Sequence, residues 1–142
     1  MIKLNQIIEP NAGARTAGVP ARTLQEEIAM PFVHVKTNCA VSADTERALK
    51  SKIADAIALF PGKTENWLMV QVEGDAHLWF GGSDAPAAFA EVRLFGRASD
   101  ADYDRVTAAL TDALADQLHV APDRVYIPYQ EVSHWGWNGG NF

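Results

Sequence analysis

The chain has 142 residues, 48% of them hydrophobic, which suits a single domain that buries its own core. Its net charge of −6 and its lack of a Lys/Arg cluster argue against a nucleic-acid partner, and one cysteine with four scattered histidines argues against an internal disulfide and structural zinc. Because no stretch resembles a membrane span or the apolar part of a secretory signal, we expect a cytoplasmic protein without a membrane partner, although non-classical export needs no such signal.

The N-terminal part of the chain shows no regular hydrophobic period and is rich in Pro, Gly, Ala, Arg and Thr. We interpret residues 1–29 as a weakly structured extension and residues 30–142 as the folded domain. After Met30 the pattern changes, because Phe32, Val33, Val35 and Thr37 favour a strand.

The next element is predicted to be an amphipathic helix that begins after Ser42, whose hydroxyl can accept a hydrogen bond from a first-turn amide. Pro61-Gly62 ends the helical pattern. A second strand is predicted at 66–74, and a short third strand at 77–80 ends at Gly81-Gly82. The apolar positions of the helix recur every three or four residues: Leu49, Ile53, Ile57 and Phe60.

The same order of elements is then repeated. A strand is predicted at 88–96, Ser99 is placed to cap a second helix, Pro122 marks its exit, and a further strand is predicted at 124–132. The apolar positions of this second helix are Tyr103, Val106, Leu110, Leu114 and Leu118.

Two strand-helix-strand units in series predict an α+β fold. Each helix must cross to a parallel strand in the right-handed sense, so we expect a doubled βαβ unit: a four-stranded mixed sheet, short extra strands and two helices on one face. Whichever register holds, the other face would carry apolar residues without a cover: Phe32 or Val33, Leu68 or Trp67, and Tyr126 or Val125. We therefore expect that face to be buried against other subunits of an oligomer.

Several short motifs carry a resemblance that covers Pro31 to Phe142. From this point the chain resembles the macrophage migration inhibitory factor (MIF) family of the tautomerase superfamily. The resemblance implies a homotrimer and removal of the initiator methionine, so that Met30 would be the start codon and Pro31 the N-terminal base of a keto-enol tautomerase. The motifs, in chain order, are MPFVHVKTN (30–38), FPGK (60–63), FGGS (80–83), PDRVYI (122–127) and GWN (136–138).

The chemistry implied for Pro31 depends on a free amine. Within a chain its nitrogen belongs to a tertiary amide and is not a base, whereas a free α-amino group has a pKa near 8 that desolvation and a nearby cation lower toward about 6. If residues 1–29 are retained, Pro31 only opens a strand. Codons for Gln25-Glu26-Glu27 can form a purine run typical of a bacterial ribosome-binding site just before Met30. If translation starts at Met30, residues 1–29 are leader sequence that has been assigned to the protein by mistake.

The resemblance also implies roles for other residues. Lys63 would pair with a substrate carboxylate and lower the proline pKa, the backbone N–H of Phe95 would hold a carboxylate oxygen, and Tyr126 would form an aromatic wall at a subunit boundary. Phe32 and Trp137 match apolar lining positions. The alternatives are ordinary ones: a solvated loop lysine, a packed core tyrosine and a tryptophan at an interface.

Two departures from the animal members of the family limit what is carried over. Pro128 stands where they have an asparagine that would bind a para-hydroxyl on the substrate ring. Ala87 and Ala90 stand where they have a Cys-x-x-Cys pair, so a thiol oxidoreductase activity is not expected.

Three functions follow from these observations. The first is a cofactor-free tautomerase of phenylpyruvate-type aromatic 2-keto acids, with Pro31, Lys63 and Tyr126 as catalytic residues and no metal. The second is a non-catalytic trimer that binds a receptor or partner, favoured if the N-terminal extension is retained. The third is hydration or decarboxylation of a small unsaturated acid on the same scaffold, for which Arg93 and Arg97 are the arginine candidates.

Overall fold

The first repeat of the sequence folds as a strand, a helix and a second strand, and the second repeat follows the same order. In the computed structural model, residues 31–62 and 65–142 are described. The extension predicted at residues 1–29 lies outside them. The elements are β1 (Phe32–Thr37), α1 (Ala43–Ile57), β2 (Met69–Glu73), β3 (Ala88–Phe95), α2 (Asp100–Leu118), β4 (Val125–Tyr126), β5 (Tyr129–Val132), β6 (Gly136–Trp137) and β7 (Gly140–Asn141), with short 3-10 helices at Glu65–Trp67 and Pro122–Arg124.

Both helices begin at the serine that the sequence predicts. The Thr45 N–H donates to Ser42 Oγ over 3.1 Å, and the Asp102 N–H donates to Ser99 Oγ over the same distance. The second helix ends before the predicted exit at Pro122, because His119 adopts a left-handed conformation (φ 57°) and its N–H bonds to the Ala115 carbonyl.

The strands form one mixed sheet in the order β2-β1-β3-β4, with β5 also pairing with β3. β1 is parallel to β2 and antiparallel to β3, and β3 is parallel to β4 and β5. Both helices pack on one face, which confirms the predicted doubled βαβ fold. The buried core between sheet and helices includes Val33, Val35, Ala90, Val92 and Leu94 from the strands, and Leu49, Ile53, Leu110 and Leu114 from the helices.

The last predicted strand differs from the structure in that its ladder is interrupted. β4 and β5 keep the same register on β3, but residues 127–128 lie between them. Pro128 has no N–H to donate, and only its carbonyl joins the sheet, accepting from the Val92 N–H over 3.0 Å.

The prediction of a short strand at 77–80 is wrong within one chain. Phe80 forms only an isolated bridge to Ser83, across a turn in which Gly81 and Gly82 have φ of 61° and 80°. Within the described residues, residues 77–79 pair with no strand. The strand predicted at 66–74 begins only at Met69, because a 3-10 helix occupies Glu65–Trp67.

The sheet face away from the helices, here called the open face, is polar at its centre. His34 Nε2 lies 3.0 Å from Glu73 Oε1, and His34 Nδ1 lies 4.0 Å from Glu91 Oε1. Apolar side chains lie toward its edges, including Phe32, Met69 and Tyr126. The expectation of an apolar open face therefore holds only for its rim, because strand alternation also directs His34 to this side.

Candidate active site

Pro31 is buried where three strands meet at one end of the sheet. It directly precedes β1, and its carbonyl accepts a hydrogen bond of 3.1 Å from the Met69 N–H at the start of β2. Phe32 lies opposite Arg93 in the antiparallel pairing, so Pro31 is at the end of β3 that carries Phe95. The sequence-predicted residues Pro31, Phe32 and Phe95 therefore share this end of the sheet.

A chain of four aromatic rings extends over this same end. The Phe95 ring centroid is 5.8 Å from that of Phe142, Phe142 is 6.1 Å from Trp137, and Trp137 is 5.0 Å from Trp67. Phe95 is only 7% exposed, whereas Trp137 remains 52% exposed. The four rings, here called the apolar cover, are thus shielded from solvent at Phe95 and exposed to solvent at the two tryptophans.

The C-terminal hairpin supplies two of these rings. β6 and β7 are joined by Asn138-Gly139, whose φ values of 52° and 84° are those of a type I′ turn. The Phe142 N–H then bonds to the Trp135 carbonyl over 3.0 Å and holds the terminal ring in place. Sequence reasoning missed Phe142 and Trp67. The Asn-Gly pair between aromatic residues was the signal that could have found the hairpin.

Lys63 lies outside the described residues, as does Thr64. The described residues on either side connect the end of α1 to the start of β2. Phe60 is buried, Gly62 has a φ of 76°, and Glu65 begins the 3-10 helix that leads to Met69. The loop therefore enters β2 at the same end of the sheet as Pro31.

Tyr126 lies at the opposite end of β3. It pairs with Phe89 and points to the open face, where it is 60% exposed and its ring centroid is 4.8 Å from that of Phe80. Phe95 lies six positions after Phe89 along β3, so at ~3.4 Å per residue the two are roughly 20 Å apart. One chain does not bring Tyr126 to Pro31.

The arginines of the third hypothesis lie near Pro31 but differ in setting. Arg93 neighbours Phe32 on the open face, and its Nη2 is 3.8 Å from Glu91 Oε2. Arg97 is exposed and follows Gly96, beyond the end of β3.

The other predicted absences concern metals, thiols and membranes. Within residues 31–62 and 65–142, no three His, Cys, Asp or Glu side chains are grouped so as to hold a metal ion. Ala87, which directly precedes β3, and Ala90 within β3 are both buried. In the same part of the chain, no helix combines the length and apolarity needed to cross a membrane.

Comparison with known proteins identifies the family. A model of the MIF family matches residues 30–142. The chain is 33% identical to macrophage migration inhibitory factor of Meriones unguiculatus and 32% identical to that of Mus musculus, and each match covers 80% of this chain and 99% of the relative.

Solved structures agree with this match. MIF2 of Leishmania major has a TM-score of 0.76 at 25% identity, covering 80% of this chain and 98% of its own. The MIF homologue of Prochlorococcus marinus has a TM-score of 0.68 at 26% identity, covering 78% and 98%. The chain from residue 30 onward therefore belongs to the macrophage migration inhibitory factor family.

Proposed function

We propose that this protein is a cofactor-free keto-enol tautomerase of aromatic 2-keto acids such as phenylpyruvate, with N-terminal Pro31 as its general base. The MIF family includes proteins with tautomerase activity as well as proteins with cytokine-like roles. The observation that carries the proposal is the burial of Pro31 at the end of the sheet that the rings of Phe95, Phe142, Trp137 and Trp67 cover.

The reaction requires a neutral amine at Pro31. After removal of Met30, the Pro31 nitrogen accepts a proton from the carbon next to the keto group while the electron pair moves onto the keto oxygen. The proton is then delivered to that oxygen, which gives the enol. A water-poor apolar setting disfavours the ammonium form and lowers the pKa of such an amine, so that it can act as a base near neutral pH.

The substrate carboxylate needs its own partners. Lys63 supplies a cation from the loop that enters β2, and the Phe95 N–H supplies a hydrogen-bond donor at the end of β3. The substrate ring lies against the apolar cover, where Phe32 and Trp137 contribute lining surface. Exclusion of water by these rings strengthens the charged contacts to the carboxylate.

Tyr126 must come from a second copy of the chain, because it lies roughly 20 Å from Pro31 along β3 at ~3.4 Å per residue. We propose a homotrimer in which each site combines Pro31 of one subunit with Tyr126 of its neighbour. Exposed apolar side chains on the open face and on residues 77–80 support such an assembly, since Met69 is 67% and Trp79 66% exposed in one chain.

The first test is the intact mass of the protein expressed from its own gene with the native upstream DNA. A mass for residues 31–142 is expected, together with phenylpyruvate tautomerase activity. Pro31→Gly is expected to lower kcat by about 10²-fold or more, the range for loss of a general base. Lys63→Ala is expected to raise KM mainly. A mass for the full chain, with no activity, would rule out the mechanism.

A partner-binding, cytokine-like function is the second candidate. It is favoured by the residues that precede Pro31 in this sequence, because their retention would make the Pro31 nitrogen an amide. In that case the same mass measurement gives the full chain, and the trimer would act through its surface.

A further inference from the structure

Arg124, in the PDRVYI motif, holds a loop rather than a carboxylate. Its guanidinium donates to four carbonyl oxygens across residues 80–86, here called the 80–86 loop. No carboxylate of the described residues pairs with it. The four bonds run from Nε to Pro86 O (2.9 Å), from Nη1 to Phe80 O (3.3 Å), and from Nη2 to Ser83 O (3.1 Å) and Ala85 O (3.0 Å).

The 80–86 loop has a compact shape of its own. Phe80 and Ser83 exchange two backbone hydrogen bonds of 2.9 and 3.1 Å around Gly81-Gly82, and the Ala85 N–H donates to Ser83 Oγ over 3.1 Å. The positive φ at both glycines is what such a tight turn needs. Arg124 therefore binds a compact, internally hydrogen-bonded loop next to β4.

A second side chain, from the residue that follows β1, holds the same loop. Asn38 Nδ2 lies within hydrogen-bond distance of the carbonyl oxygens of Leu78, Asp84 and Ala85, and its Oδ1 accepts from the Ala87 N–H over 2.9 Å. Among the contacts of the described residues, Arg124 binds the Phe80 carbonyl, whereas Asn38 binds carbonyls on either side of Phe80. The two side chains thus hold different parts of the loop.

Phe80 connects Arg124 to Tyr126. The Arg124 guanidinium carbon is 5.3 Å from the centroid of the Phe80 ring, a cation–π distance, and the Phe80 ring centroid is 4.8 Å from that of Tyr126. The Tyr126 hydroxyl makes no hydrogen bond within the described residues, and its side chain is largely exposed. Its ring position therefore depends on ring contact with Phe80.

We propose that Arg124 is a positioning residue that fixes the ring of Tyr126 through the 80–86 loop and Phe80, and thereby sets the affinity for the aromatic part of the substrate. The kinetic consequence depends on the proposed tautomerase function, whereas the positioning itself does not. A lysine at this place would keep the charge but lose the planar, forked donors that reach four carbonyls at once.

The test is Arg124→Lys in the protein expressed from its own gene, with Arg47→Lys, an exposed arginine of α1, as the matched control. We expect KM for phenylpyruvate to rise about tenfold with kcat nearly unchanged, and KM for pyruvate, which has no ring, to stay the same. In a Tyr126→Ala background, Arg124→Lys should add nothing. Equal KM increases for both substrates, or additive effects, would overturn the proposal.

A measurement without substrate separates this claim from the proposed function. The chain has three tyrosines, Tyr103, Tyr126 and Tyr129, whose ring NMR signals can be assigned by Tyr→Phe variants. Arg124→Lys should shift the Tyr126 signals and leave the other two in place. Phe80→Leu, which keeps the carbonyls but removes the ring, should shift the same signals.

The combination of results is decisive. If the wild-type protein with a free Pro31 has no tautomerase activity but the Tyr126 signals shift in both variants, the proposed function fails and the positioning role stands. If the Tyr126 signals stay in place in both variants, the positioning role is wrong whatever the activity.

Discussion

At the Phe95 end of β3 the aromatic rings pack against one another and Pro31 is buried, whereas at the Ala88 end Tyr126 is 60% exposed and contacts one ring, that of Phe80. The Phe95 end gives Pro31 an apolar setting. At the Ala88 end, Tyr126 remains largely open to solvent in one chain. Residues proposed for one reaction are thus distributed between two ends that a single sheet cannot bring together.

This contrast gives a physical reason for the proposed oligomer. A base needs desolvation, which the Phe95 end can supply locally. An exposed tyrosine gains a binding role only when another surface closes over it. Assembly would therefore complete the site and cover exposed apolar side chains in the same step, so that stability and activity should depend on the same contacts.

Mixing two impaired variants is the strongest test of whether Pro31 and Tyr126 of one site come from neighbouring subunits. Pro31→Gly chains should have little activity, and Tyr126→Ala chains should have little activity at phenylpyruvate concentrations well below the wild-type KM. When they are unfolded and refolded together in equal amounts, about a quarter of the sites should combine an intact Pro31 with an intact Tyr126 if these come from neighbouring subunits. The measurement is phenylpyruvate tautomerase activity before and after mixing.

Co-refolding each variant with itself is the control for the mixing experiment. Activity that stays at the mean of the two variants, in a mixture whose mass shows mixed oligomers, would mean that both residues act within one chain. That result would also contradict the separation of roughly 20 Å estimated at ~3.4 Å per residue of β3.

Removal of the Trp137 ring tests the cover at the Phe95 end. Trp137→Ala eliminates ring contacts with both Trp67 and Phe142. A contact between the Trp137 ring and the aromatic ring of the substrate would be worth about 0.5–1.5 kcal/mol, so we expect KM to rise by up to about tenfold. Stability should change less, because Trp137 is half exposed.

The control variant is Leu59→Ala, since Leu59 is an exposed apolar residue that follows α1. Equal KM changes in the two variants would contradict a lining role for Trp137.

A tyrosine cluster behind the Phe95 end predicts sensitivity to alkaline pH. The rings of Tyr103 and Tyr129 are 4.6 Å apart, and that of Phe60 is 5.6 Å from Tyr103. Burial, followed by the hydrogen bond to the Glu131 carboxylate and its charge, raises the pKa of Tyr103 well above its ordinary range. Burial is also the main cause of the raised pKa of Tyr129.

The sign of the pH effect follows from linkage. The folded protein keeps the Tyr103 proton at a pH where the unfolded chain loses it, so this contribution to stability is complete below about pH 10 and is lost as pH rises above that value. Urea denaturation of the wild type and Tyr103→Phe between pH 8 and pH 11 should show a stability difference that narrows from about pH 10 upward. A constant difference over that range would contradict the prediction.

Local patterns in the sequence predicted the repeated elements well. Ser42 and Ser99 marked both helix starts, and the apolar spacing in each helix matched the buried residues because both signals depend on near neighbours only. The prediction of a strand at 77–80 was wrong, because a sequence pattern that suits a strand does not show whether another strand is available to pair with it. The interruption at Pro128 follows from its missing N–H, which removes a donor from the strand ladder.

The site was predicted less completely than the fold. Resemblance to a family indicated Pro31, Phe95 and Tyr126, but the register of β3 was needed to show that Tyr126 lies far from the other two. Trp67 and Phe142 reach the aromatic cover through a loop and a hairpin whose positions depend on tertiary packing. Likewise, the polar centre of the open face depends on strand pairing, since His34 and Glu73 are distant in sequence and adjacent only in the sheet.

The two helix caps offer the smallest and most closely matched comparison. Ser42→Ala and Ser99→Ala each remove a hydrogen bond of 3.1 Å to a first-turn amide, and each should lower the free energy of unfolding by about 1 kcal/mol. Ser42→Ala also removes an exposed hydrogen bond from Ser42 Oγ to Thr45 Oγ1. Ser99→Ala should cost slightly more, because Asp102 beyond it is buried and pairs with Arg105, whereas the first turn of α1 is exposed. Urea denaturation at pH 7 measures both. Replacement by Asp, which can also cap a helix, should restore stability in each case, and a failure of Asp at either site would mean that the serine acts through contacts other than the cap.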